Sequence, residues 1–172
     1  MSLSPSEVNR TLAQGAVYLM RHRLVTSPKL HFVVVMNESP NNDVVILFNV
    51  VTSNIDNVRK LLQKTGAEHY TAVDLSPNTE SFLSVNSIVN CNDCKMCNRG
   101  DFITDLSSCQ EAKFMGNISS MSLSNMITAA LASKQVKPFQ KQMISPHRFT
   151  AIEDARLLPE NEQKAIHITV GC

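Results

Sequence analysis

The amino-acid sequence predicts a β-rich fold with peripheral helices, built as a small, partly closed β-barrel. Three observations carry that expectation. Residues 30–37 (LHFVVVMN) and 44–52 (VVILFNVVT) are β-branched apolar runs on either side of a Glu-Ser-Pro-Asn-Asn-Asp turn, so they read as a long hairpin buried on both faces. Sustained helical spacing is confined to short stretches between such runs. The chain has 172 residues, the size of one domain.

Ser4-Pro5-Ser6-Glu7 combines an N-cap, a proline at the first helical position and a capping-box glutamate, which starts a helix over 5–13 that Gly15 stops. Residues 16–21 then form a strand, and the hairpin follows, turning at residues 38–43. Ser53-Asn54-Ile55-Asp56 offers a second helix start, with Ile55, Val58, Leu61 and Leu62 at helical spacing until Gly66. Residues 69–75 are a weaker strand, Ser76-Pro77-Asn78 a turn and residues 82–89 (FLSVNSIV) a further strand, after which comes a cysteine-bearing loop. Met121, Leu123, Met126, Ile127, Ala130 and Leu131 form an apolar stripe that predicts a helix over 118–134, with Ser122 as one cap. Beyond Pro138 the signals are a strand closing at Met143 and Ile144, a short helix over 159–165 and a terminal strand over 166–170.

Sixteen basic and fifteen acidic residues leave a net charge of +1, so any nucleic-acid site is a local patch rather than a global field. The five glycines form no P-loop and no dinucleotide fingerprint, and neither a HExxH helix nor a Gly-x-Ser-x-Gly elbow occurs. Nucleotide hydrolysis and dinucleotide redox chemistry are thereby excluded. No apolar run approaches the roughly 20 residues of a membrane span. The first ten residues lack the features of a secretory or organellar leader, and the expectation is a cytoplasmic protein whose cysteines stay free or bind metal.

The order of motifs resembles one known family. Gly15-Ala16-Val17-Tyr18, then His31-Phe32-Val33-Val34-Val35-Met36-Asn37, then Val50-Val51-Thr52-Ser53, then Asn86-Ser87-Ile88-Val89-Asn90-Cys91, then Gly116-Asn117-Ile118-Ser119 before a helix, resembles the MazF/PemK (Kid) toxins over residues 15–132. The resemblance implies an SH3-like barrel core over 15–132, with residues 133–172 as a C-terminal extension of the same domain. It further implies a homodimer, neutralisation by an antitoxin protein, and metal-independent cleavage of single-stranded RNA by an endoribonuclease that needs no cofactor. The family's threonine falls on Thr52, and its arginine position falls on His31, which is a departure. Lys29 precedes His31 by two residues, and Arg21 and Arg23 lie on the preceding segment.

An imidazole near its ordinary pKa can exchange a proton at neutral pH, so His31 is the candidate catalytic group beside Thr52; its alternative is a hydrogen-bonded structural residue of the strand. Arg21, Arg23, Lys29 and Ser53 are candidate RNA contacts, against the alternatives of solvated charge and, for Ser53 and Thr52, helix capping. Cys91, Cys94 and Cys97 form a Cys-x2-Cys-x2-Cys run, and Cys109 brings the set to four thiolates, the number a structural zinc requires. Free thiols are the alternative. A barrel that kept the fold and serves only as a protein- or nucleic-acid-binding module is the second functional expectation.

Overall fold

The Ser4 hydroxyl accepts from the Glu7 amide at 3.2 Å while the Glu7 carboxylate accepts from the Ser4 amide at 2.8 Å, and this expected capping box opens α1 (Pro5–Thr11). The structure is a computed structural model that describes residues 3–25 and 27–156. Gly15, at φ +81°, then turns the chain into the first of seven strands.

Those strands are β1 (Ala16–Met20), β2 (His31–Val35), β3 (Val45–Thr52), β4 (Ala72–Leu75), β5 (Ser87–Asn90), β6 (Lys95–Asn98) and β7 (Lys113–Asn117). They form one antiparallel sheet in the order β4-β5-β3-β2-β1-β7. One edge of β3 pairs with β2, and the other is shared: Val45–Phe48 face β6, whereas Val51 and Thr52 face β5. Among the described residues no pairing joins β4 to β7, so the sheet is open, and barrel closure is corrected to an open sheet flanked by helices.

The hairpin between β2 and β3 forms as expected, and its clamp is Asn37. This fully buried side chain accepts from the Leu47 amide at 2.6 Å and donates to the Asp43 carboxylate and the Val45 carbonyl. Since a buried amide must find partners for both of its ends, Asn37 fixes where β3 starts.

Helices cover both faces. On one, Val17, Val34, Leu47, Val51, Val73 and Val89 pack against Met126, Ala129 and Ala130 of α4 (Ser120–Ala132) and Ile144 of α5 (Pro138–Ile144). On the other, Tyr18, Met20, Val33, Val35, Ile46 and Phe48 pack against Val8 of α1 and against Phe102 and Leu106 of α3 (Arg99–Ser108). Strand alternation sends successive residues to these two clusters, and this explains why the hairpin strands are predominantly apolar on both faces. α2 (Ile55–Thr65) ends at Gly66 in the left-handed conformation, as the sequence indicates, and α6 (Pro146–Arg156) follows α5.

Several elements differ from expectation. The cysteine-bearing stretch is no loop but holds β6 and α3. Only Ser87–Asn90 of the 82–89 strand is extended; residues before it turn about Glu80, whose carbonyl accepts from the Leu83 amide. Residues 69–71 form a 3-10 turn ahead of β4. Met143 and Ile144 lie in α5 rather than in a strand, because Pro138 sits at the helix start and presets its first turn. The cap of α4 is Ser119, whose hydroxyl accepts from the Ser122 amide, instead of Ser122 itself. The helix expected over 159–165 and the strand over 166–170 lie outside the described residues. No helix among the described residues is long and apolar enough to cross a membrane.

Candidate functional site

His31 opens β2 opposite Met20 of β1. The β2–β3 register runs through Phe32↔Val51, and one further antiparallel step sets His31 against Thr52, which itself pairs with Ile88 of β5. Directly opposed residues share a face with Cβ atoms about 4.5–5.5 Å apart. The sheet therefore brings together the two residues that the sequence singles out as catalytic. Both are half-buried.

The His31 Nε2 is buried and has no hydrogen-bond partner among the described residues. Burial, and then the Lys29 charge, lower its pKa from the ordinary histidine value, which keeps the ring neutral and able to accept a proton near pH 7. Thr52 Oγ1 accepts from the Asn54 amide at 3.1 Å, leaving the hydroxyl proton to be donated elsewhere. Asn54 is the residue at the cap position of α2, without a side-chain capping bond, so Ser53 is not the cap and stays exposed. Lys29 is exposed in the segment leading to His31.

Arg21 and Arg23 do not turn back toward Thr52. The β1–β7 register passes through Leu19↔Lys113, and two further steps set Arg21 against Glu111, with which it forms an ion pair. Arg23 reaches the other way, onto Asp101 and Asp105 of α3 at 3.3 and 3.2 Å. These acidic partners escaped the sequence reading. Asp101 and Asp105 stand four residues apart, a spacing that puts both on one helix face, yet no local signal says which cations that face will meet.

The four cysteines are divided by the sheet. Cys91 and Cys94 pack in the cluster beneath α4, whereas Cys97 and Cys109 pack in the cluster beneath α3. Burial pushes the Cys91, Cys94 and Cys97 thiols up to about 12, which holds them protonated. Among the described residues no group of three or more His, Cys, Asp or Glu side chains is arranged to hold a metal ion. Among the described residues the four thiols of the expected zinc set are not gathered at one point, because Cys91 and Cys94 lie in one core cluster and Cys97 and Cys109 in the other.

No protein-family model matches this chain, and no curated protein matches it.

Proposed function

We propose that the protein is a toxin-like RNA-binding protein that meets single-stranded RNA where β2 and β3 end, and that His31 gives this site metal-independent endoribonuclease activity. The observation that carries the reading is the place of His31 and Thr52, each one residue beyond the Phe32↔Val51 pair at the same end of β2 and β3. In the reaction, His31 accepts the proton of a ribose 2′-hydroxyl, the 2′-oxygen attacks the adjacent phosphorus, and the bond to the 5′-oxygen breaks. The proton returns from His31 to that leaving oxygen. Thr52 donates its hydroxyl to a non-bridging oxygen, and Lys29 offsets the growing charge. An SH3-like form for residues 15–132, a homodimer and an antitoxin partner belong to the same reading. Its support is the order of the strands and of the helix after β7, which runs as the family-like motifs do.

One observation favours the second reading, a non-catalytic binding module. Arg21 and Arg23, the arginines expected at the site, are both committed to carboxylates and do not supply the family's arginine. A single experiment separates the two. Wild type is mixed with a single-stranded RNA pool in chelator, and binding and cleavage are followed together. Cleavage that falls by about 10² to 10⁴ in His31→Ala, with a smaller loss in Thr52→Ala, supports the enzyme. Binding without cleavage selects the module, and absence of both removes RNA from the account.

A further inference from the structure

His22 opens the turn that follows β1, and its ring is fully buried there, 4.7 Å from Phe48 of β3 and 6.2 Å from Phe102 of α3 between ring centres. Its Nδ1 accepts from the Leu24 amide at 3.1 Å, and the His22 carbonyl accepts from the Val25 amide at 2.9 Å. Ring and backbone of one residue thus close the turn over residues 22–25. An Nδ1 that accepts carries no proton, so the ring proton of the neutral imidazole is on Nε2. That Nε2 faces the Asp105 carboxylate of α3 at 3.4 Å, and Arg23 meets the same carboxylate at 3.2 Å while reaching Asp101 at 3.3 Å.

A carboxylate beside a histidine ordinarily favours the charged ring. Here the nitrogen that faces Asp105 already holds its proton in the neutral form, and the nitrogen open to a second proton is occupied by the Leu24 N–H. Protonation therefore sets two donors against each other at Nδ1 and places a positive charge among apolar rings. The charges around the ring do not reverse this. Burial lowers the His22 pKa most, Asp105 and Asp101 of α3 pull it up, and Arg23 pushes it down, with a net lowering. From β6, Cys97 shares the field of the same three charges, and burial holds its thiol protonated and neutral.

We propose that His22 is an acid-sensitive latch: protonation of its ring breaks the Leu24 bond and frees the turn over residues 22–25 from α3 while the sheet stays folded. The other ties of this turn are weak. Leu24 is exposed, and the Arg23 side chain is more than half exposed, so its pairs with Asp101 and Asp105 contribute little net stability. In the freed turn the ring meets water and returns to the ordinary histidine pKa near 6.5, so the open population rises as pH falls through that value. Between pH 7.5 and 5.5 the rise is about tenfold. The latch uses neither His31 nor Thr52, and it stands whether or not the protein cleaves RNA.

The test is amide hydrogen exchange of the full chain between about pH 7.5 and 5.5, read by NMR as protection relative to the unstructured rate at each pH. Protection of the Leu24 and Val25 amides should fall about tenfold across that range. At every pH it should stay at least about tenfold below that of the Met36 and Leu47 amides, which are bonded within the hairpin, because a local opening is smaller than global unfolding. His22→Asn keeps a side-chain acceptor for the Leu24 amide but takes up no proton in this range, so its Leu24 protection should change less than about twofold. Protection at Leu24 and Val25 that is level with pH, that equals that of Met36 and Leu47, or that falls as steeply in His22→Asn overturns the proposal. The first two readings come from wild type alone and decide the matter even where the variant does not fold.

Discussion

Replacing Glu80 by alanine should unfold the protein at markedly lower denaturant, although Glu80 belongs to no helix or strand. It is 2% exposed, and its carboxylate accepts from the Ser119 amide at 3.0 Å and the Ser119 hydroxyl at 2.7 Å. Ser119 caps α4, and the first turn of α4 contains no acidic residue. A side chain 39 residues earlier thus supplies the acceptor and the negative charge that a helix N-terminus favours. Leaving the Ser119 amide without its acceptor costs about 1–3 kcal/mol. Losing the charge at the helix start adds about 0.3–1 kcal/mol, for a total of about 1–4 kcal/mol. Urea unfolding measures it directly: with a slope of about 2 kcal/mol per molar, the midpoint should fall by about 0.5–2 M at constant slope. Glu80→Gln keeps an acceptor and should lose only about 1 kcal/mol. A double-mutant cycle with Ser119→Ala should give a coupling of about 0.5–3 kcal/mol. An alanine variant within about 0.5 kcal/mol of wild type, or a coupling near zero, would show that the carboxylate does not hold the helix start.

The remaining predictions concern protonation. His22 and His31 both have pKa values lowered in the fold, burial being the first cause for each. The unfolded chain therefore binds more protons than the native one below about pH 6.5, so stability should be level above that pH and decline beneath it, by at most about 1.4 kcal/mol per pH unit for each histidine. Urea midpoints between about pH 7.5 and 5.5 check the sign, and a rise on acidification contradicts it. Cys91, Cys94 and Cys97 should react slowly with a thiol reagent near pH 8 in the native protein and promptly in urea, because thiols pushed to about 12 carry little thiolate. Prompt native labelling of all three would contradict that assignment.

Elements whose causes are local were legible in the sequence. The capping box at Ser4 and Glu7, the left-handed stop at Gly66 and the hairpin of two β-branched runs each depend on residues within a few positions of one another. What escaped depended on distant partners. The 82–89 segment looked extended throughout, but its first half is bent around Glu80, and the reason for that bend is a helix start 39 residues later. Strand β6 and helix α3 are not legible locally, because a Cys-x2-Cys-x2-Cys run suits a metal loop as well as it suits a short strand leading into a helix.

The site divides along the same line. His31 and Thr52 could be brought together from sequence alone, since a hairpin with a fixed turn has a fixed register and the family-like order named both positions. The arginines could not be placed in that way. Arg21-His22-Arg23 reads as a basic tripeptide only until Asp101, Asp105 and Glu111 return to it from residues some 80 to 90 positions later, which is a fact of sheet order and not of composition. Once they return, the tripeptide no longer presents bare charge to RNA, since three carboxylates face its two guanidiniums. Any polyanion that binds there must displace those carboxylates, each of which already holds a guanidinium. Pairing thus weakens the case for these arginines as a surface for a passing strand.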